Sequence, residues 1–462
     1  MKRQFDFFKK LLIINCALLI GFSSCSVSHQ IAKSADKILL KDSSISSGHI
    51  GISIYEPATN SYWYNYDAAK YFVPASNTKL FTCYAVMKYL GDSLVGLRYS
   101  QTNTDITIYP AGDPTFLHPD FIKQPVFEFL VKKTPLKINI DFEKVWKEQS
   151  YGKGWVLDDY SEYYSSQRSA LPIYGNIVKF ETNADSIYIN DYVLKFPILA
   201  FPSFFTTAIK PDVDTMPSFY KNFFIKRIFD DNTFLIKQSN QTPKIQLTPF
   251  NTDNETIEAL LEDTLMKRGC YKIIFTKPKS ANLNSYKLYT IHSQPTDSLL
   301  KPMMHRSDNF FAEQTLLMVS NEHLGYMNDE DIIDTLLNTD LKDVPQKPKW
   351  IDGSGLSRYN LFTPQSFVYI LNKMKNEFGL KRLEVILPTG GEGTLKNYYL
   401  QDSSFIYAKT GSLSNNFSLS GFLITKKNKL LIFSILVNNF QNDAAPVHLA
   451  IQQFIENIRD KY

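Results

Sequence analysis

The sequence contains a serine and a lysine three positions apart, Ser76-Asn77-Thr78-Lys79, ahead of an apolar segment. At the start of a helix the two side chains lie about one turn apart on the same face, where the lysine can take the serine proton. Burial or a neighbouring cation would lower the lysine pKa enough for this role. The pattern alone is weak evidence, because Ser34, Ser218 and Ser298 begin it too, and a solvated surface pair explains any one of them equally well.

Two further short motifs have side chains that would complete such a site. Ser307-Asp308-Asn309 places a hydroxyl and an amide on the same side of a tight turn, suited to relaying a proton and to holding a substrate carbonyl. Lys409-Thr410-Gly411 is expected to open an apolar strand. Its lysine and threonine suit a carboxylate, and its glycine lets a substrate approach the strand edge, where a backbone N–H can face an oxyanion. Taken singly, a helix cap and an ordinary strand start explain them as well.

Hydrophobic patterns predict the elements that must position these motifs. Alternating apolar residues predict strands at His49–Tyr55 and Ser61–Tyr66. Apolar residues at spacings of three and four predict an amphipathic helix over Asn77–Leu90, in which Cys83 is a small buried residue. Two apolar runs near the C-terminus predict a hairpin, followed by a closing helix. The two ends of the chain therefore predict an α+β fold with an antiparallel sheet flanked by helices.

The middle of the chain differs from its ends. From about residue 100 to 284, short strand-like runs alternate with turn residues, which indicates a β-rich insertion in two pieces. We therefore assign 99–284 to this insertion, and 26–98 together with 285–462 to one discontinuous domain that carries all three motifs.

The order of the three motifs is more specific than any one of them. A helix-start S-x-x-K, an S-x-N after a long insertion and a K-T-G near the C-terminus form the set used by penicillin-recognising serine enzymes. The chain resembles the D-alanyl-D-alanine carboxypeptidase/endopeptidase family of low-molecular-mass (class C) penicillin-binding proteins, in which two small domains separate the first two motifs. The segments that carry this resemblance are G-D-P-T at 112–115, G-W…D-D…S-A-L at 154–171, D-G-S-G-L-S-R-x-N-x-x-T at 352–363 and L-P…G-T-L at 387–395.

The resemblance implies a β-lactamase/transpeptidase-like fold and a serine DD-peptidase acting on peptidoglycan stem peptides. Ser76 would form an acyl-enzyme, with Lys79 as general base and Ser307 passing the proton to the leaving amine. β-Lactam antibiotics would acylate the same serine. The substrate-binding residues implied are Asn309, Lys409, Thr410, Gly411, Ser412 (whose backbone N–H would face the oxyanion together with that of Ser76) and Asp159, which would meet a cationic stem-peptide side chain.

The N-terminus is typical of an export signal. A basic segment precedes the apolar run Leu11–Phe22, which is too short to span a bilayer permanently. Phe22-Ser23-Ser24-Cys25 resembles a lipoprotein signal, so we expect residues 1–25 to be a signal peptide and Cys25 to be lipidated. A plain exported protein cut near this point is the alternative. Both readings predict a periplasmic protein, and the first adds a membrane tether.

The composition excludes several other classes of protein. The 462 residues are 44% hydrophobic and 21% charged, as in globular proteins rather than disordered ones. Residues 1–24 contribute +3 of the net charge of +4, so the rest is nearly neutral and gives no indication of nucleic acid. The seven histidines are scattered without a metal-binding motif, and neither a metal nor another cofactor is expected.

Two alternative functions stay open at this point. One is a β-lactamase or esterase on the same fold, which the long insertion disfavours. The other is a non-catalytic, wall-binding or β-lactam-sensing lipoprotein, which the presence of every reacting group disfavours.

Overall fold

The structure is a computed structural model that describes residues 27–133, 136–182, 198–211, 224–237, 245–270, 274–276, 287–441 and 443–462. The predicted signal peptide and Cys25 lie outside the described residues. The helices are α1 (27–35, continued by a π-helical turn Asp36–Leu40), α2 (Lys79–Tyr89), α3 (Pro125–Lys133), α4 (Phe142–Val145), α5 (Asn254–Lys267), α6 (Thr296–His305), α7 (Asn309–Leu324), α8 (Asp329–Asn338), α9 (Pro364–Phe378), α10 (Leu380–Ile386) and α11 (Ala444–Lys461).

The strands divide among four sheets. They are β1 (His49–Glu56), β2 (Ser61–Tyr66), β3 (Ser93–Gln101), β4 (Asp105–Pro110), β5 (Lys137–Ile140), β6 (Ile177–Thr182), β7 (Ile198–Phe201), β8 (Ile209–Pro211), β9 (Phe224–Arg227), β10 (Phe234–Lys237), β11 (Ile245–Pro249), β12 (Phe275–Thr276), β13 (Tyr289–Pro295), β14 (Ile406–Leu413), β15 (Asn416–Ile424) and β16 (Leu430–Asn438). The sheet orders are β14-β15-β16-β1-β2, β12-β5-β4-β3-β13, β11-β6-β7 and β8-β10-β9.

The first sheet is antiparallel throughout and joins the two ends of the chain, because β1 pairs with β16. Its three central strands, β15, β16 and β1, are buried on both faces. In β16, Phe433 and Ile435 pack with α1 and α11, whereas Ile432 and Leu436 pack with α2 and α9 on the other face. This period of two follows from the pleat of a strand. The predicted α+β fold, with an antiparallel sheet flanked by helices, is confirmed.

Helix α2 differs from its prediction. Residues Lys79 to Met87 are all buried, Cys83 among them, so the helix is not amphipathic. The reason is that α6, α7 and α9 pack around it, so that only the last turn of the helix, at Lys88, reaches water. A helix enclosed in this way suits a site that needs a buried lysine.

The insertion contains more helix than its β-rich pattern indicated. Its strands form the two three-stranded sheets and most of the five-stranded sheet β12-β5-β4-β3-β13. The helices α3 and α5 pack against these strands. Strand β3 continues across the limit drawn at residue 98, and the limit at 284 lies outside the described residues. The division of the chain at 99–284 stays a prediction. Across the part of the chain that is described, no helix is both long and apolar enough to cross a membrane.

Candidate active site

Ser76 lies in a short 3₁₀ turn (Ala75–Thr78, the Ser76 turn) directly before α2. The preceding residue, Ala75, has a φ of +48°, a left-handed conformation that is costly for a residue with a side chain. Two strand residues fix the turn: Ser418 Oγ donates to the Pro74 carbonyl at 2.7 Å, and Asn77 Nδ2 donates to Ser420 Oγ at 2.7 Å. The sheet therefore holds the Ser76 backbone in one place.

Lys79 is fully buried and its ammonium group has three partners. Its Nζ lies 2.9 Å from Ser76 Oγ, 2.6 Å from Asn309 Oδ1 and 2.8 Å from the carbonyl oxygen of Ser354. Burial lowers the pKa of Lys79 to about 8, although the carboxylates of Asp352, Glu313 and Asp308 oppose the shift. A lysine with this pKa is partly neutral near physiological pH and can accept the Ser76 proton.

The loop 352–355 (the D-G-S-G loop) packs directly against the Ser76 turn. A methyl group on Gly355 would lie 1.9 Å from the Ala75 carbonyl oxygen, so only glycine fits at this contact. The buried Asp352 carboxylate organises the loop by accepting hydrogen bonds from Gly355 N, Ser357 N, Asn360 Nδ2 and Trp155 Nε1, at 2.6 to 3.0 Å. The segment that carried part of the family resemblance is thus the wall behind Lys79.

The S-x-N motif forms the turn between α6 and α7. Ser307 has a φ of +62°, and the Asp308 carboxylate caps α7 by accepting from Phe311 N at 2.9 Å. The side-chain oxygen Oδ1 of Asn309 faces Lys79. Its side-chain nitrogen Nδ2 donates to the backbone carbonyl of Tyr164, in the insertion, at 3.0 Å. This asparagine therefore connects the insertion to the lysine.

The K-T-G motif lies in the middle of β14, so the prediction that it opens a strand was wrong; the strand already begins at Ile406. Lys409 Nζ donates to Ser307 Oγ at 2.8 Å and to the Thr410 carbonyl at 2.6 Å. Burial holds the Lys409 pKa well below its usual value, and the charge of Lys79 adds to this effect. The structure thus brings all three motifs to one place.

At Gly411, strand β14 lies in close contact with the backbone of the Ser76 turn. A methyl group on Gly411 would lie 2.6 Å from the Pro74 carbonyl oxygen and 2.8 Å from the Ser76 nitrogen. Ser412, the next residue, is exposed. Among the described strands β14 pairs only with β15. On its other edge Ala408 N donates to the Pro388 carbonyl at 3.0 Å, and the part of this edge that follows is available to an extended ligand.

Asp159 is the predicted site residue with the fewest contacts to the other motif residues. It is half-buried in a turn of the insertion (Leu157–Asp159) and hydrogen-bonds to Tyr164, whose pKa is raised to about 12 by burial and by this carboxylate.

Beside the S-x-N turn lies a cavity of about 720 Å³. Its wall includes Ser307 and Asn309 together with aromatic side chains of the insertion, namely Tyr163, Tyr164, Tyr174 and Phe201.

Sequence reasoning missed two buried charged residues near the site, Glu313 and Arg168. Glu313 Oε1 accepts from Ser354 N at 2.7 Å, and Arg168 Nη1 lies 3.5 Å from Glu313 Oε2. A charge within the apolar pattern of α7 was the available signal for Glu313. Among the described residues, no group of three or more His, Cys, Asp or Glu side chains is placed to hold a metal ion.

The sheet is antiparallel and flanked by helices, Ser76 and Lys79 lie at the start of the buried helix α2, and Lys409 lies on the edge strand β14. This is the arrangement of the penicillin-recognising serine enzymes. The chain matches the D-Ala-D-Ala carboxypeptidase 3 (S13) family over residues 31–459. It belongs to this family, which confirms the predicted relationship to the low-molecular-mass penicillin-binding proteins. It is accordingly a serine-type D-Ala-D-Ala carboxypeptidase.

Individual relatives agree with this assignment. The chain is 26% identical over 419 residues to the D-alanyl-D-alanine carboxypeptidase DacB of Haemophilus influenzae, covering 81% of this chain and 82% of the relative. It is 24% identical over 451 residues to the D-alanyl-D-alanine carboxypeptidase of Actinomadura sp. (strain R39), covering 90% and 82%. The crystal structure of penicillin-binding protein 4 (dacB) from H. influenzae superimposes with a TM-score of 0.70 at 20% identity, covering 93% of this chain and 98% of that one.

Proposed function

We propose that the protein is an exported serine DD-peptidase that cleaves peptidoglycan stem peptides, at the D-Ala-D-Ala end or at a cross-link, through an acyl-enzyme on Ser76. The contact between Lys79 Nζ and Ser76 Oγ, at 2.9 Å, carries the proposal. A serine next to a buried lysine of lowered pKa is an activated nucleophile. The carboxypeptidase names of the relatives support the choice of substrate.

Acylation begins with neutral Lys79 taking the Ser76 proton while Oγ bonds to the substrate carbonyl carbon. The resulting ammonium keeps its contacts to Asn309 and to the Ser354 carbonyl oxygen, so the lysine stays in place. The backbone N–H groups of Ser76 and Ser412 stabilise the oxyanion. Donors aimed in advance at such a charge account for a large part of the catalysis of acyl transfer.

The leaving amine departs on the Ser307 side of the site. When the carbon–nitrogen bond breaks, Ser307 gives its proton to the amine of the departing D-alanine and is reprotonated from its neighbour Lys409, 2.8 Å away. Before deacylation Lys79 releases its proton to solvent and Lys409 takes one from solvent, so that Lys79 is again a neutral base. Water then attacks the acyl carbon while Lys79 takes the water proton. Lys79 passes that proton to Ser76 Oγ as the ester bond breaks, which releases the shortened stem peptide and restores the serine hydroxyl. No net proton is gained or lost by the enzyme over the cycle.

Substrate recognition uses the remaining motif residues. Lys409 and Thr410 hold the terminal carboxylate, Asn309 orients the amide on the acyl side, and the close approach of Gly411 keeps the β14 edge beside the reacting carbon. Asp159 meets a cationic side chain of the stem peptide. A β-lactam enters the same site, since opening its ring amide acylates Ser76; the Haemophilus relative has been crystallised in complex with a β-lactam.

Covalent labelling with fluorescent penicillin tests the nucleophile. We expect a stable label that peptide mapping places on Ser76 and that Ser76→Ala abolishes, together with D-alanine release from a pentapeptide ending in D-Ala-D-Ala. Rapid loss of the label with hydrolysed penicillin would support the β-lactamase alternative. A folded protein with neither label nor hydrolysis would contradict the proposal and leave the non-catalytic binding protein.

We also propose that the protein is a periplasmic lipoprotein tethered through Cys25. The apolar run Leu11–Phe22 and the small residues before the cysteine support this. In cells fed a radiolabelled fatty acid, the wild type should incorporate the label and fractionate with membranes. Cys25→Ala should lose the label, whereas Cys16→Ala should behave as wild type. Equal labelling of both variants would exclude Cys25 as the attachment site.

A further inference from the structure

A buried cluster of charges lies beneath the Ser76 site, and the proposed reaction does not use it. Its centre is Arg168 of the insertion, which is fully buried and faces three carboxylates. Arg168 Nη1 lies 2.5 Å from Asp329 Oδ2 and 3.5 Å from Glu313 Oε2, and its Nη2 lies 3.2 Å from Glu148 Oε1. One arginine cannot neutralise three carboxylates, so such a cluster retains protons on some of them.

Glu313 is the member of this cluster that reaches the reacting residues. Its Oε1 accepts from the backbone N–H of Ser354 at 2.7 Å, and the carbonyl oxygen of the same residue accepts from Lys79 Nζ at 2.8 Å. A single loop residue therefore joins the Glu313 carboxyl to the lysine. The loop has little freedom, because a methyl group on Gly353 would lie 2.6 Å from the Ala312 carbonyl oxygen of α7.

The charges around Glu313 decide what its protonation does. The groups that act on it are Asp352, Asp329, Arg168 and Lys79. Burial raises the pKa of Glu313 to about 8, with Asp352 adding to the rise and Arg168 opposing it. Ionised Glu313 favours the charged form of Lys79, so the two groups influence each other in the pH range in which Lys79 must lose its proton.

We propose that Glu313 is a positioning residue for Lys79: it holds Ser354, whose carbonyl oxygen fixes the lysine, and its carboxylate stabilises the lysine ammonium, with Arg168 of the insertion as counter-charge. The inference rests on the proposed function, because it assumes that Lys79 activates Ser76. It gives the insertion a part in the chemistry through one buried side chain, in addition to the Tyr164 carbonyl that holds Asn309.

The test is the pH profile of acylation by fluorescent penicillin in wild type, Glu313→Gln and Glu148→Gln. Glutamine keeps an acceptor for Ser354 N but cannot ionise. Wild-type Glu313 acquires its charge only as the pH approaches about 8, where the charge opposes deprotonation of Lys79. The midpoint of the acid limb should therefore move to lower pH in Glu313→Gln, whereas the rates well below pH 7 should match those of the wild type. Glu148→Gln is the matched control, since it removes a carboxylate from the same arginine at a position that does not contact Ser354. It should leave the acid limb where it is.

Glu313→Asp and Glu313→Ala test the positioning role and replace Glu313→Gln if that variant does not fold. Both withdraw the acceptor from Ser354, so the acylation rate should fall about tenfold or more at every pH, with circular dichroism as in wild type. Wild-type rates in both variants, or an acid limb that Glu148→Gln shifts as far as Glu313→Gln does, would overturn the inference. Absence of acylation in the wild type itself would instead refute the proposed function.

Discussion

Lys409 Nζ lies 2.8 Å from Ser307 Oγ, a contact between the edge strand β14 and the turn that precedes α7. It repeats, on the opposite wall, the contact between Lys79 and Ser76. The site thus contains two serine–lysine pairs, and each lysine is buried. The charge of Lys79 further lowers the pKa of Lys409. Two neighbouring cations that disfavour each other make at least one of the lysines easier to deprotonate.

The acylation rate should depend on the protonation of Lys79. Its pKa is lowered to about 8 by burial, so the neutral base disappears as the pH falls below this value, and the rate should decrease about tenfold per pH unit at lower pH. Stopped-flow acylation by a fluorescent penicillin between pH 6 and pH 9 measures this. Lys79→Arg, a permanent cation, should be inactive throughout. A rate that does not change with pH in the wild type would argue against Lys79 as the base.

Removal of the Lys409 charge should affect substrates according to their C-terminus. With Lys409→Met, kcat/KM for a peptide ending in a free D-Ala carboxylate should fall about 100-fold, the loss expected for a hydrogen bond between charged groups. The same peptide with an amidated C-terminus should lose less, because it lacks the carboxylate that the lysine binds. Equal losses for the two peptides would assign Lys409 to Ser307 alone and not to the carboxylate.

A side chain at Gly411 should separate β14 from the Ser76 turn. In Gly411→Ala the new methyl group would meet the Pro74 carbonyl oxygen at 2.6 Å, and the resulting displacement should lower the acylation rate about 100-fold. Gly325→Ala is the control: Gly325 has a φ of +85° but no atom within 4 Å of the new methyl group. It should cost about 1 kcal/mol of stability and leave acylation unchanged. Comparable acylation in the two variants would show that β14 tolerates the extra atom.

Arg168→Met should destabilise the fold more at high pH than at low pH. In the wild type burial raises the pKa of Glu148 to about 7 and that of Glu313 to about 8, so the folded protein retains protons that the unfolded chain releases above about pH 4.5. Stability therefore already falls as the pH rises through this window. Without Arg168 both pKa values rise further, and the fall should be steeper.

Urea unfolding at pH 6 and pH 8.5 measures this difference. At pH 8.5 the loss in Arg168→Met should be about 3 to 5 kcal/mol, as for other buried charge clusters that lose one partner. Adding Glu148→Gln to the variant should recover part of it by removing one of the unbalanced carboxylates. A loss that is the same at both pH values would mean that packing of the arginine side chain, rather than its charge, stabilises this region.

The sequence predicted the parts of this protein that depend on local pattern. Strand alternation correctly placed β1 and β2, and the order of the motifs predicted the family. The burial of α2 on every side was not predictable, because the helices that cover it follow more than 200 residues later. In the insertion, the spacing of Ile257, Leu260, Leu261 and Leu265 carried a helical signal for α5, which the surrounding short strands obscured.

The site residues that belong to short sequence motifs were predictable. The site residues that are brought together only by contacts between distant parts of the chain were not. Ser76, Lys79, Ser307 and Lys409 belong to recognised patterns, and the structure brings them together. Arg168 and Glu313 are 145 residues apart in sequence, and no short motif relates them. A charged residue within a segment is normally taken to be exposed, and only the folded chain shows that these two lie together beneath the lysine.

The pairing of β3 with β13 has a consequence for how this chain can be shortened. Tyr99 lies opposite Tyr289, so the polypeptide leaves and re-enters the rest of the protein at adjacent points, and a few residues of linker would rejoin the cut ends. The shortened enzyme would lose Arg168 together with the insertion. The buried carboxyl group of Glu313 would then have no counter-charge. The excision therefore has to be accompanied by a neutral residue at position 313. In any shortened form of this protein, the removal of the insertion and the removal of the charge at this position of α7 must be made together.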